Sequence, residues 1–249
     1  MVSSSDMEIK INDKVFLPAA VIVAGLIIAG AVVWNGSRPA TPDSPQAAGT
    51  GTVPSPSVNI EDVEIAGHPY IGKENAPVTI AFWSDFQCPY CKSFEVGHDQ
   101  IPTPAAFPDI IKNYIDTGKA KIVFLDLPLT QLHPNALNMA LYGRAVWKLY
   151  PEQYVAWREA ILTRQGEDFG NASSVDALNA TIAGLDAARI KADVQANKAA
   201  YQKMIDADTA QAGKFGVNAT PSFIIGTQLL AGAYPYQNFE DAIKAALGK

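Results

Sequence analysis

Apolar positions along the 249-residue chain fall into one long N-terminal block, a gap, and then short blocks of changing period. The long block, Val15 to Trp34 (VFLPAAVIVAGLIIAGAVVW), holds 20 uncharged residues, the length a helix needs to cross a hydrocarbon core of roughly 30 Å. It predicts one N-terminal transmembrane helix. A buried core helix would show a polar face, and this run has none. A cleaved signal peptide would carry a shorter apolar run and a small-x-small site where this chain has Val-Val-Trp-Asn-Gly. Lys10 and Lys14 precede the block, and Arg38 is the only basic residue between it and Lys73. That bias puts residues 1–14 in the cytoplasm and the C-terminal part on the exported side of the cytoplasmic membrane, periplasmic or extracellular.

Residues 35–58 (NGSRPATPDSPQAAGTGTVPSPSV) are rich in Pro, Gly, Ser and Thr and read as a flexible tether. Residues 59–249 then form one exported domain. Val78-Thr79-Ile80-Ala81-Phe82-Trp83 reads as a buried strand, Pro104 to Tyr114 as a helix ending near Gly118, and Lys121–Leu127 as a second buried strand. From about 133 to 214 no strand pattern occurs, and Leu137, Leu141, Ala145 and Leu149 recur at helical spacing. Breaks at Pro151, at 166–171 and at Gly184-Leu185-Asp186 divide this block into four helices, with Ser173 and Asp186 as candidate N-caps. Ser222–Ile225, Gly226-Thr227 and Gln228–Ala231 read as a hairpin, and Asn238 to Leu247 as a closing helix. The predicted class is mixed α/β with a helical insertion.

Composition changes this picture little. A chain 48% apolar and 18% charged is ordinary for a folded protein. A formal charge of -6 offers no basic footprint for phosphate backbones and excludes a nucleic-acid partner.

The chemistry lies in the two cysteines, Cys88 and Cys91, set in Cys88-Pro89-Tyr90-Cys91. A disulfide stabilises mainly by closing a long loop, and a two-residue gap closes almost none, so stapling does not explain the pair. Pro89 suits the first turn of a helix, which places Cys88 at a strand-to-helix junction. Unpaired N–H groups there favour a thiolate, the nucleophile of disulfide exchange. Cys91, one turn on, is in reach to resolve a mixed disulfide at Cys88. Two alternatives for a C-x-x-C pair fit less well. Tetrahedral zinc needs four ligands, and only His68, His98 and His133 are scattered along the chain. Haem attachment needs a histidine where Lys92 stands. A chance pair of inert core cysteines is the remaining alternative.

Gly72-Lys73-Glu74-Asn75-Ala76-Pro77-Val78-Thr79-Ile80 followed by Ser84-Asp85-Phe86-Gln87-Cys88-Pro89-Tyr90-Cys91 resembles the DsbA-like branch of the thioredoxin superfamily. Leu127-Pro128-Leu129 with His133-Pro134, Ala219-Thr220-Pro221-Ser222-Phe223, and Gly226 to Gly232 with Tyr236 and Phe239 continue the likeness, over about residues 63–248. The resemblance implies a thioredoxin fold with an inserted helical domain and no cofactor beyond the cysteine pair. It implies Pro221 as a cis-proline against that pair, and Thr220 offering backbone groups to a substrate peptide. Pro89 and Tyr90 complete the expected substrate-binding set, with Tyr90 exposed and Trp83 in the core. Expected partners are exported protein or peptide thiols and a membrane protein that recycles the pair.

This chain departs from the family where a buried acid commonly stands six residues before the first cysteine, because it has Phe82 there. That leaves the proton pathway of the resolving thiol without its usual group. Asp85 is closer in sequence and reads as a solvated or capping loop residue, His133 as a capping or surface group. The Pro-Tyr gap adds no positive charge beside Cys88, which predicts a less extreme oxidant than family members with a histidine there. Dithiol oxidation of exported proteins leads these readings. A reductase or isomerase of exported disulfides, and a non-catalytic thioredoxin-like peptide-binding protein, are the alternatives.

Overall fold

The run Val78–Ser84 lacks the alternation of a half-exposed strand because both of its faces are covered. It forms β2, the centre of a five-stranded sheet in a computed structural model that describes residues 58–166 and 168–248. The sheet order is β1-β3-β2-β4-β5, with β1 at Tyr70–Gly72, β3 at Ala120–Asp126, β4 at Ser222–Ile225 and β5 at Gln228–Ala231. β2 and β3 run parallel and the other pairs antiparallel.

Strand alternation sorts the core into two halves. Val78, Ile80 and Phe82 face one side with Ile122, Phe124, Phe223 and Ile225. Covering them are α1 (Pro89–Val96), α2 (Phe107–Ile110) with its π-helical continuation Ile111–Ile115, and α7 (Tyr236–Ala246). Ala81, Trp83, Val123, Leu125 and Ile224 face the other side, against Val58, Val63, Ala212 and Phe215. Each fully buried side chain of this size contributes about 1.5–3 kcal/mol.

Between β3 and β4 lies the insertion, α3 (Ala136–Leu149), α4 (Tyr154–Arg164), α5 (Ala172–Asn179) and α6 (Ala187–Lys214). Four helices are thus present, as their spacing predicts. Asp186 caps α6 by accepting from Arg189 N–H. For α5 the cap is Asn171, which accepts from Ser174 N–H, and not Ser173. Asn171 holds the cap because its backbone is extended (φ -70°, ψ 162°), whereas Ser173 already lies inside the helix.

A buried ionic cluster ties the insertion to the sheet. Arg144 of α3 donates to Asp126 at 2.7 Å and to Asp208 of α6. Asp208 accepts from the Asp126 N–H at 2.8 Å and pairs with His68 at 2.6 Å, and its carbonyl accepts from the Trp83 indole at 3.2 Å. His68, which carries no pattern in the sequence, is therefore structural.

Several expectations shift. The helix predicted over 104–114 begins at Phe107 and changes to π-helical hydrogen bonding at Ile111. β1 has no strand pattern of its own, and its three residues are ordered by pairing with Val123, Ile122 and Lys121. Val58, placed at the end of the expected tether, is buried in the second core half. The apolar block 15–34 lies outside the described residues, and among those described no helix is long and apolar enough to cross a membrane.

Candidate active site

β2 delivers the chain to the turn Asp85-Phe86-Gln87, and Cys88 follows as N-cap of α1 with extended backbone (φ -71°, ψ 121°). Its carbonyl accepts the first helical bond, from Lys92 N–H at 3.2 Å, and Pro89 occupies the first helical position, where no N–H is required. Gln165, at the end of α4, donates to the Phe86 and Cys88 carbonyls at 2.8 and 3.1 Å, fixing this turn against the insertion.

The loop before β4 meets the same point. The Thr220–Pro221 peptide bond is cis, and the Cys88 thiol donates to the Thr220 carbonyl at 3.2 Å. The Thr220 hydroxyl is buried with no hydrogen-bond partner among the described residues. Cys88, Cys91, Thr220 and Pro221 thus come together, with Cys91 fully buried and Tyr90 54% exposed beside them. Pro89 is half-buried.

The two thiols, both free, are electrically unequal. The Cys88 thiol is lowered to about 6, first because the Cys91 thiol donates to the Cys88 thiolate. Thr220 and the Cys91 and Tyr90 N–H groups add to this, against the opposing effect of burial. Burial pushes the Cys91 thiol well up, and the Cys88 sulfur and the Asp85 charge push the same way. A pair of this kind presents one thiolate near neutral pH and keeps one proton in reserve.

Position 82 is filled by aromatic packing. Phe82 stacks on Phe223 at 4.6 Å and packs on Phe94 and Phe124. The nearby buried charge comes from elsewhere. Glu95, one turn beyond Cys91 on α1, accepts from Arg158 of α4 at 2.6 and 2.9 Å. Arg158 also donates to Ser84 Oγ and lies over the rings of Phe124 and Phe86, at 4.3 and 4.7 Å from their centroids. The sequence reading passes over both residues. The spacing of Cys91 and Glu95, four apart on an otherwise apolar helix face, is the signal that marks Glu95.

Asp85 and His133 also differ from their expected roles. Asp85 is buried, not solvated, and its carboxylate accepts from Gln87 N–H, Leu129 N–H and His133. His133 is held by that carboxylate and does not cap α3. Among the described residues no group of three or more His, Cys, Asp or Glu side chains is placed to hold a metal ion.

The thioredoxin family model matches residues 64–245. Over 187 residues the chain is 25% identical to disulfide bond formation protein D of Bacillus subtilis (strain 168), covering 74% of this chain and 78% of that protein. Among solved structures, oxidised BdbD from Bacillus subtilis superposes with a TM-score of 0.66 at 23% identity, covering 78% of this chain and 99% of that one. The thiol-disulfide exchange protein alpha-DsbA2 from Wolbachia pipientis gives a TM-score of 0.60 at 28% identity, covering 72% and 86%.

Proposed function

Since the chain belongs to the thioredoxin family, in its DsbA-like branch, we propose that it introduces disulfides into exported proteins by dithiol exchange through Cys88 and Cys91. The enzyme is a thiol–disulfide oxidoreductase with a thioredoxin fold and a helical insertion, and its own cysteine pair replaces an external cofactor.

In the oxidising direction a substrate thiolate attacks Cys88 Sγ of the Cys88–Cys91 disulfide. A mixed disulfide forms and Cys91 leaves as a thiolate. A second substrate thiolate then attacks the substrate sulfur of that mixed disulfide, forming the substrate's disulfide and releasing Cys88. What supports this direction is the place of Cys88 as N-cap of α1 with Cys91 one turn on, an arrangement that favours its thiolate and lowers the thiol to about 6. A reduced form favoured in this way makes the disulfide a ready electron acceptor. Pro89, Tyr90, Thr220 and Pro221 form the substrate-binding rim in this reading, with the Thr220 backbone pairing to an extended peptide.

The block 15–34 acts as a single-pass anchor after a cytoplasmic segment 1–14, and 35–58 as the tether that holds the catalytic domain on the exported side. A membrane redox partner reoxidises the pair.

Replacing Cys88 by Ser should abolish oxidation of a reduced, unfolded substrate, and unchanged activity would sink the enzymatic role of Cys88. Thiol trapping in cells decides the direction. A mostly oxidised pair supports the oxidase, and a mostly reduced pair replaces it with a reductase.

A further inference from the structure

Both chain neighbours of Cys88, Gln87 and Pro89, line an open cavity of about 640 Å³ between α1 and the loops that enter α3 and leave α4. No residue of the Thr220–Pro221 loop lines it, so it opens on a different side of Cys88 from the carbonyl to which the thiol donates. One wall is polar and cationic, formed by Lys92, His98 and Gln100. Lys92 makes one hydrogen bond among the described residues, to the Thr163 carbonyl at 3.3 Å, and an ammonium has three donors to give. His98 Nδ1 accepts from Gln100 N–H at 3.1 Å, which leaves the ring proton on Nε2. The opposite wall is Leu132, His133 and Pro134, and Leu132 is 73% exposed.

The other polar groups of the cavity are already engaged. Gln165 Nε2 donates to the Phe86 and Cys88 carbonyls, and Gln87 Oε1 accepts from Asn135 N–H at 2.6 Å. His133 Nδ1 donates to Asp85 at 2.7 Å. No carboxylate lines the cavity among the described residues. Asp85 lies behind His133 with no exposed side-chain surface, and Gln87 N–H, Leu129 N–H and His133 take its oxygens. Glu95 is answered by Arg158. What stays open beside Cys88 is one positive charge with N–H donors around it, on a chain whose formal charge is -6.

We propose that this cavity is a substrate subsite for an acidic side chain, Asp or Glu, two residues from the reactive cysteine of the exported polypeptide, with Lys92 as its specificity-determining residue. The proposal rests on the dithiol-exchange reading above and adds a substrate preference to it. Lys92 stands four residues beyond Cys88 on α1, about 6 Å along the axis at about 1.5 Å per residue. An extended peptide covers about 6.6 Å in two residues, and its side chains two apart point to the same face. A peptide that leaves Cys88 along α1 therefore brings the side chain two positions from its cysteine beside Lys92. A carboxylate there meets the ammonium and the His98 and Gln100 donors, while its methylenes lie against Leu132 and Pro134. A lysine at that position faces a like charge.

The test is the peptide selectivity of disulfide opening. The oxidised full-length chain in detergent is mixed with an excess of a single-cysteine peptide, quenched in acid and alkylated. Three peptides of otherwise one sequence carry Glu, Gln or Lys at the second position on both sides of the cysteine. Each rate is divided by that peptide's rate with hydroxyethyl disulfide, which removes the effect of neighbouring charge on the peptide's own thiol. The Glu peptide should react about threefold faster than the Gln peptide, and the Lys peptide about threefold slower. The general field of a negatively charged chain favours the Lys peptide, so this order is local in origin. In Lys92→Gln the three rates should converge, in Lys92→Glu the order should invert, and Lys92→Arg should keep the parent order. Lys203→Gln, which removes an exposed charge of α6, should leave the order unchanged. Equal rates for the three wild-type reactions, or a Glu preference that survives Lys92→Gln, overturn the subsite. So does a preference that Lys203→Gln removes to the same extent. If Lys92→Glu does not fold, Lys92→Gln and Lys92→Arg decide by themselves. A wild-type disulfide that no peptide opens sinks the exchange reading along with the subsite, whereas opening at one rate by all three removes only the subsite.

Discussion

The Cys88 sulfur lies 3.2 Å from the Thr220 carbonyl oxygen, so two residues 132 positions apart share one hydrogen bond at the start of α1. The thiol that donates there loses its proton readily, because the Cys91 thiol donates to the thiolate once it forms.

Titration of the reduced protein by thiolate absorbance should therefore show a midpoint at about 6, and Cys91→Ala should raise it, since the Cys91 thiol is the largest stabilising donor. The folded value is depressed below that of the unfolded chain, so the stabilisation is complete above the unfolded value and is lost as pH falls through the folded one. The drop from 9.0 to about 6 corresponds to about 4 kcal/mol, which chemical denaturation of the reduced protein should reveal as a rise in stability from pH 6 to 9.

The gap residue tunes the potential. Tyr90 is exposed and uncharged, and Tyr90→His places a titratable cation beside the Cys88 thiolate. The glutathione-equilibrium potential of the variant should rise by about 30 mV or more, the equivalent of about 1.4 kcal/mol of added thiolate stabilisation. A potential at or below that of the parent protein would remove electrostatics at this position as the tuning device.

Glu95 and Arg158 are both buried, and removing one leaves the other charge without an answer. Arg158→Met should cost about 3–5 kcal/mol in urea unfolding, and the double change with Glu95→Gln should recover part of that loss. Strictly additive losses would show that the two groups do not act as a pair.

His68 titrates in the opposite sense to Cys88. Burial lowers it, but the hydrogen bond and charge of Asp208 outweigh burial, and its folded value is raised above 6.5. Its contribution is thus fully present below 6.5 and is lost as pH rises through the folded value. Unfolding of the oxidised protein, in which Cys88 does not titrate, should show this loss in the parent and not in His68→Gln.

What the sequence shows of the fold and site is what neighbours in the chain determine. The Val78–Trp83 run, Pro89 inside the helix that Cys88 caps, and Asp186 before α6 are each set by residues within a few positions. β1 escapes notice because its three residues owe their order to β3, 49 to 53 positions on. Glu95 and Arg158 escape because each reads alone as a surface charge, and only the packing of α4 on α1 pairs them. The same holds for Asp85, whose carboxylate is enclosed by Leu129 and His133 from the far side of β3.

Arg144, Asp126, Asp208 and His68 belong to α3, β3, α6 and the segment before β1, and they meet in one buried cluster. Pulling any one of these segments away strands a charge that the others neutralise, so local opening here carries the cost of an unpaired buried charge, about 3–5 kcal/mol. The insertion and the sheet are then a single cooperative unit, and their most protected amide protons should exchange at a common rate.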